Sequence, residues 1–360
     1  MAMNSIYAVQ KIYLMMGAAC NLKCRHCYQM DNPQPHLHKQ IHSDVWDFLD
    51  RMSSQKPEKL NLVFWGGEPL LYWPLIKSVI DRFDGRFNFA FISNGTLLND
   101  AMVDYLNAHN VLFSVSCDGP LTTKVRGINI LDDPAFCARF KRLNRRCIGT
   151  TIHAYNIDPF AFERFVKERV GETNIHYQYT LECTWDMDRD LYEYDFETYE
   201  EHLKTCRKLF IEGAVKGDMT SIAMDYLKRG VLTVMGTQTR ADSGIPDRWW
   251  PECSSMRKTM NVDIEGYVHL CHNITSVLGR VTDDYDELLD ANDRMLKEKL
   301  ARKTECNSCN VVRWCRRGCP LNCVADHSGQ KICCEAERIY WKQAYLTVCD
   351  AAKITTDIAL

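Results

Sequence analysis

From Lys11 to about Leu181 the chain alternates two kinds of segment, and this alternation restricts its fold more than any other feature. Runs rich in β-branched and aromatic residues, KIYLMM, LNLVFW, FNFAFIS, VLFSVS, IGTTIHA and NIHYQYTLE, read as six successive strands. Between them, Asp44 to Met52, Trp73 to Phe83, Asp100 to Ala108 and Pro159 to Arg169 carry apolar residues at helical spacing. Repeats of strand, helix and strand build a parallel sheet with crossover helices. The natural closure is an α/β fold, a partial (β/α)6 TIM-like barrel, in which chemistry collects at the carboxyl ends of the strands.

At 360 residues the chain has room for this domain and a smaller one. The composition suggests a barrel over 1–184, a helical bridge over 185–250 and a cysteine-rich module over 251–360. Within the bridge, Asp186 to Glu201 holds eight carboxylates against one arginine. This reads as a solvated helix face or helix start, or else as a surface for a basic substrate segment. A net charge of −3 and a pI near 6.4 leave no electrostatic footprint for nucleic acid. The basic stretch around Arg139, Lys141, Arg142, Arg145 and Arg146 lacks interleaved aromatics and reads as a solvated outer face. Residues 1–16 resemble a first strand more than a signal peptide, and no stretch approaches a membrane span. We therefore expect a cytoplasmic protein with no membrane partner. Its 18 cysteines, clustered at short spacings, favour metal ligation in a reducing compartment over disulfides.

Three of those cysteines, Cys20, Cys24 and Cys27, stand in AACNLKCRHCYQ with the spacing C-x3-C-x2-C. One short loop of this kind can wrap three corners of a four-iron four-sulfur cubane and leave the fourth iron open to a ligand. A zinc knuckle or a reactive thiol pair is the plainer alternative, and three cysteines without a local fourth fit zinc poorly. Gly66-Gly67-Glu68-Pro69 follows the second strand; its glycines allow close backbone approach and its carboxylate can accept from an amine. The third strand ends in Ser93-Asn94-Gly95-Thr96 and the fourth in Ser116-Cys117-Asp118-Gly119-Pro120. Each is also an ordinary turn when taken alone.

The ordered set of motifs resembles that of the radical S-adenosylmethionine (SAM) enzymes. The resemblance implies that the methionine amino and carboxylate groups of SAM chelate the open iron. It implies that Tyr28 packs beside the cluster loop, and that Gly66, Gly67, Glu68 and Pro69 meet the SAM amino group. By the same resemblance Ser93, Asn94, Ser116 and Asp118 line the SAM and substrate pocket. Arg126 stands where relatives carry a basic residue near a carboxylate, with a surface salt bridge an equal contender. Thr151 and Asn156, at the end of the fifth strand, are weaker pocket candidates.

Further on come Cys253, Gly266 and Cys271, then Cys306-x2-Cys309-x5-Cys315-x3-Cys319, then Cys334. This series resembles the SPASM extension, which adds auxiliary iron–sulfur clusters to peptide-modifying radical SAM enzymes. The resemblance assigns Cys253, Cys271 and Cys319 to one auxiliary cluster and Cys306, Cys309, Cys315 and Cys334 to another, three 4Fe-4S clusters in all. A zinc ribbon is the competing reading of the quartet. No cysteine lies between Cys253 and Cys271, so the first auxiliary cluster has an open iron or a remote ligand, for which Cys183, Cys323 and Cys333 are the spare candidates. Cys117, Cys137, Cys147, Cys206 and Cys349 read as small buried hydrophobes.

The resemblance implies that reductive cleavage of SAM gives a 5′-deoxyadenosyl radical, which abstracts a substrate hydrogen. Auxiliary clusters, whose potentials span about −700 to +450 mV across proteins, can collect the released electron. The leading expectation is maturation of a ribosomal peptide by a thioether or carbon–carbon cross-link or a related oxidation. The partners would be a peptide or protein substrate and a low-potential donor such as flavodoxin or ferredoxin. A second expectation is oxidation of Cys or Ser to formylglycine, as in anaerobic sulfatase maturases. There His272, after Cys271, takes the place of an acidic residue proposed as the base, and a histidine suits that task near neutral pH. A third is a non-enzymatic metal-binding scaffold. No leader-binding winged helix is evident before Lys11, so leader recognition is expected in the core, the acidic bridge or another protein.

Overall fold

The computed structural model describes residues 9–27, 29, 40–54, 58–179, 189–191, 195–218, 222–242, 256–272, 276–301, 303–317 and 327–358. Tyr28, Cys183, Cys253, Cys319 and Cys323 lie outside them, as does the side chain of Cys333. In chain order the elements are β1 (Lys11–Met15), α1 (Ser43–Ser54), β2 (Leu60–Trp65), α2 (Trp73–Phe83), β3 (Phe87–Ser93) and α3 (Asp100–Ala108). Then follow β4 (Leu112–Ser116), α4 (Thr122–Arg126), α5 (Pro134–Arg142), β5 (Arg146–Ile152), α6 (Pro159–Val170) and β6 (Asn174–Tyr179). The remainder comprises α7 (Phe196–Lys216), α8 (Ile222–Asp242), β7 (Thr259–Asp263), β8 (Tyr267–His269), β9 (Val277–Arg280), α9 (Tyr285–Ala301), α10 (Val312–Cys315) and α11 (His327–Ile358). Among the described residues no helix is long and apolar enough to cross a membrane.

The six expected strands all form, and β1 to β6 stand side by side in sequence order with parallel pairing. Crossovers between consecutive neighbours carry α1, α2, α3, α5 and α6 to one face of this sheet, where Val45, Ile76, Val103, Phe136 and Phe162 join a common core, as in a partial barrel. Alternation follows from the pleat: Ile12, Leu14, Phe64, Phe89, Phe91, Phe113 and Val115 join the apolar core under the helices. The opposite face carries Lys11, Tyr13, Asn61, Asn88, Ser114, Ser116 and Thr151 at the intervening positions, and is far more polar. Helix starts are fixed by side chains: Asn99, Asp133, Asp158 and Asp195 each accept from a backbone N–H of the first turn.

Two features were not foreseen. The strand β7 pairs in parallel with β1, Tyr13 level with Asn261, so β7 to β9 extend the barrel sheet to nine strands. Met260, Val262, Ile264 and Val268 accordingly join the barrel core. A second core joins α7, α8 and α11 through Tyr199, Leu203, Phe210, Tyr226, Val231, Tyr340, Trp341 and Ala344, with Cys309 and Cys315 packed against it. Gly230 is its closest crossing: a Cβ there would stand 2.8 Å from Ala344 Cβ and from Tyr340 Oη. Gly230 N–H also donates to Tyr340 Oη at 3.0 Å. Gly230→Val should therefore destabilise the protein by about 1–3 kcal/mol, read as a lowered thermal midpoint, whereas Gly236→Ala, with open space around it, should not.

The charged stretches are used locally. Arg142 pairs with Asp100 and Asp104, Arg139 with Asp133, and Arg145 and Arg146 donate to backbone carbonyls. In the acidic bridge Asp195 caps α7, Glu200 pairs with Lys342 at 2.8 Å, and Asp190 pairs with Arg25 at 2.6 Å.

Candidate active site

The cysteine loop begins where β1 ends, on the carboxyl side of the sheet. Beyond the paired strands, Met16 N–H donates to Trp65 C=O, Gly67 N–H to Gly17 C=O and Glu68 N–H to Ala19 C=O, at 2.8, 2.9 and 2.9 Å. This continues the β1–β2 ladder into both loops. Gly66 has φ +154°, and a Cβ on it would fall 2.4 Å from Gly17 O; a Cβ on Gly67 would fall 2.3 Å from Ala19 O. The glycine pair is thus required by the approach of the cysteine loop. Tyr72 Oη accepts from Ala19 N–H at 3.2 Å, and Cys27 N–H donates to Cys24 C=O at 3.0 Å.

The three thiols lie within one another's electrostatic reach. Burial pushes the Cys24 thiol up to about 11, against the pull of Arg126, and Cys27 and Cys20 add to the rise. The Cys20 thiol is raised as well, chiefly by burial, with Glu68 and Cys27 contributing. Three thiols gathered in one loop form a donor set that fits an iron–sulfur cluster, whose irons would favour their deprotonated form.

Glu68 is fully buried. Its Oε1 accepts from Leu70 N–H at 2.9 Å and Ser93 Oγ at 2.8 Å, and its Oε2 from Asn94 N–H at 2.8 Å. Burial pushes the carboxyl up against these three donors. The carboxylate therefore staples the ends of β2 and β3. Asn94 Nδ2 donates to Asn21 Oδ1 at 2.9 Å and stands 3.9 Å from Cys20 Sγ, so the third strand end supports the loop directly. Pro69 opens the turn that leads into α2.

Asp118 is the hub of the fourth strand end. It is fully buried and bound in two places by Arg126, Nε to Oδ2 at 2.6 Å and Nη2 to Oδ1 at 3.1 Å. Thr151 N–H donates to Oδ1 at 3.0 Å, and Asn156 Nδ2 donates to Thr150 Oγ1 at 2.7 Å. Desolvation would raise the Asp118 carboxyl, but Arg126 above all holds it well below the usual carboxylate range. Arg126 is therefore a buried partner of Asp118, not a surface salt bridge. Ser116 ends β4 on the open face.

Two histidines on this hub escaped the sequence reading. His26, inside the cysteine loop, places Nε2 3.5 Å from Asp118 Oδ2, and His153 places Nε2 3.7 Å from the same oxygen. Their rings meet edge to face at 5.8 Å. Burial, reinforced by Arg126, pushes the His26 imidazole down to about 3, so it is neutral at working pH. The only sequence signal was a histidine between two ligand cysteines and another at a strand end.

His272 enters the barrel from the end of β8. Its ring lies 4.9 Å from Trp65 and 5.5 Å from Tyr13, and its carbonyl accepts from Gln29 Nε2 at 2.8 Å. The hairpin is thus tied to the segment leaving the cysteine loop. Burial pushes the His272 imidazole down to about 4, which makes it a weaker base than a histidine titrating near neutrality. Nearby, buried Asn261 has a side-chain amide with no hydrogen-bond partner.

Of the second cysteine system, Cys306, Cys309, Cys315, Cys334 and Cys271 are described. Cys306 N–H donates to Lys303 C=O, Cys309 N–H to Cys306 C=O and Cys315 N–H to Val311 C=O, so one tight run of turns carries three thiols. Burial raises the Cys315 thiol well above its ordinary value, with Glu337, Cys334 and Cys306 adding to the effect. Cys334 on α11 thus lies within electrostatic reach of Cys315. Among the described residues no three His, Cys, Asp or Glu side chains close on a single metal ion, whereas a cubane spreads its cysteines over separate irons.

The Radical SAM superfamily model matches residues 14–132, and this segment is a radical SAM domain. The radical SAM cyclopropyl synthase TigE of Paramaledivibacter caminithermalis is 24% identical over 130 residues, 31% of this chain and 28% of that protein. The serine-type anaerobic sulfatase-maturating enzyme of Klebsiella aerogenes is 31% identical over 114 residues, 29% of this chain and 28% of that protein. The match thus spans under a third of either relative. The cysteine-type anaerobic sulfatase-maturating enzyme of Clostridium perfringens is 21% identical over 84% of this chain and 86% of its own. Native anSMEcpe with bound AdoMet and Cp18Cys peptide superposes with a TM-score of 0.71 at 18% identity, over 96% of this chain and 99% of that one. Streptococcus suis SuiB bound to precursor peptide SuiA gives a TM-score of 0.58 at 14% identity, over 87% and 72%. At these identities the likeness is one of fold: an α/β partial barrel of the radical SAM kind.

Proposed function

We propose that this protein is a radical SAM enzyme that modifies a peptide or protein side chain, with Cys20, Cys24 and Cys27 holding the cluster that binds SAM. The observation that carries this is the cysteine loop laid on Gly66 and Gly67 at the carboxyl end of a one-sided parallel sheet. Bound together, the cluster and SAM supply the 5′-deoxyadenosyl radical. The chain positions and shields them: Asn94 and Tyr72 brace the loop, Asp118 and Arg126 lock the fourth strand end beneath it, and the open polar face receives the substrate. Cys306, Cys309, Cys315 and Cys334 would hold one auxiliary cluster, and Cys271 with Cys253 and Cys319 another, fed or drained by a flavodoxin- or ferredoxin-like donor. The peptide class of substrate is supported by the peptide-bound structures of like fold and by the relatives' names.

Anaerobic reconstitution with iron and sulfide, followed by reduction in the presence of SAM, should yield 5′-deoxyadenosine. The Cys20→Ala/Cys24→Ala/Cys27→Ala protein should yield none while retaining auxiliary iron. Equal yields from the two proteins would refute the assignment. Oxidation of Cys or Ser to formylglycine is a second reading, favoured by the superposition over 99% of anSMEcpe and opposed by the depressed basicity of His272. A sulfatase-motif peptide that loses two hydrogens at Ser, or at Cys loses two hydrogens with oxygen in place of sulfur, would select it; a changed mass only in another peptide would select the cross-linking reading.

A further inference from the structure

A cavity of about 550 Å³ lies between the start of β6 and α8. Its floor is the first part of β6, Asn174 to Tyr177, and its wall is a face of α8 from Asp225 to Gly236, closed by Arg316 and Tyr340. Asp225, Arg229, Leu232 and Gly236 recur at helical spacing, so one face of α8 is turned to it. Lys228 and Arg229 line it on α8 and Arg316 closes it; Asp225 stands 3.4 Å from Lys228, and the Glu337 carboxylate lies within electrostatic reach of Arg229. Burial, with Arg229 and Lys11 behind it, holds the His176 imidazole below its ordinary range. The Tyr177 hydroxyl is buried with no hydrogen-bond partner, and Leu232 is 59% exposed.

The strand beneath is also incomplete. β6 is the end strand of the sheet, and among the described residues no strand pairs with its second edge. An open edge offers backbone donors and acceptors to an added extended chain. Phosphate alone would use the cations and leave both the edge and Leu232 unemployed. An extended peptide with acidic side chains would use all three.

We infer that this cavity docks an acidic, extended segment of the peptide substrate, its carboxylates on Lys228 and Arg229 and its backbone beside β6. The inference rests on the peptide-modifying reading of the cysteine loop. It also gives that reading a geometry: the cavity lies at the start of β6, while the cluster loop lies beyond the carboxyl ends of the strands. A segment running along the six residues of β6 covers about 20 Å and arrives at that end. Recognition and reaction are thereby separated on one substrate.

The test is fluorescence anisotropy with the reconstituted protein and three labelled decapeptides, (Glu-Ser)5, (Gln-Ser)5 and (Lys-Ser)5. The acidic probe should bind at least about tenfold more tightly than the neutral one and weaken as salt rises. Lys228→Gln/Arg229→Gln should remove about tenfold or more of that affinity. Leu232→Glu, a surface change that leaves the cations in place, should do the same by repulsion. Equal binding of the Glu and Gln probes, or indifference to both variants, would overturn the inference. Displacement by inorganic phosphate with equal affinity for an acidic dipeptide and decapeptide would assign the cavity to a free anion and overturn it too. SAM cleavage by the wild-type protein is read separately, so failure of the enzymatic reading is distinguishable from failure of docking.

Discussion

Gly67→Val should leave the protein folded but unable to hold its first cluster. A Cβ at residue 67 would sit 2.3 Å from Ala19 O, 2.4 Å from Ala18 O and 2.6 Å from Ala19 C. All three contacts are backbone atoms, so no flexible side chain can yield; the cysteine loop itself must move. The strand pairing that precedes it, from Lys11 to Met15 against Asn61 to Trp65, is untouched, and the far-ultraviolet spectrum should be unchanged. A displacement of about 1 Å near reacting groups can cost about 100-fold in rate, and here the required shift is comparable. SAM cleavage should therefore fall by about two orders of magnitude or more, with loss of iron from the loop. Gly236→Ala, which meets nothing within 4 Å, should match the wild type. Full cleavage by Gly67→Val would show that the close approach is not what the glycine serves.

The sequence made the scaffold legible because its signals are local. Period-2 runs bounded by turns gave β2, β3 and the helices α2 and α3 with their observed ends, since pleat and helical repeat are written within a dozen residues. The cysteine spacing was legible for the same reason. What escaped depends on contacts between distant segments. Lys11 pairs with Thr259, and neither β1 nor β7 carries a mark of its partner. The partners of Glu68 were hidden on the same ground: beside two glycines it reads as a ligand-facing carboxylate, and nothing local announces the hydrogen bonds it takes from Ser93 and Asn94 of the next strand. Arg126 seemed equally suited to solvent or substrate until the fold buried it on Asp118. His26 and His153 share that carboxylate across a gap of more than a hundred residues, which no periodicity encodes.

Asp118→Ala should be among the most damaging single changes in the barrel, through stability before chemistry. Its carboxylate is fully buried and engaged twice by Arg126. Removing one member of a buried ion pair leaves the other charge desolvated and unmatched, typically at a cost of about 3–5 kcal/mol. Replacing both by apolar residues of similar volume is often close to neutral. Asp118→Leu/Arg126→Met should therefore melt much closer to the wild type than Asp118→Ala does, in thermal unfolding of the reconstituted protein. Stability and function then separate. Arg126 also acts on Cys24 by lowering its thiol pKa against burial, and Asp118 stands beside His26 within the loop. The double variant should regain its fold and still bind iron less completely at the first site than the wild type. If it regained both, the pair would be structural alone; if it regained neither, burial of the ion pair would not be the source of the damage.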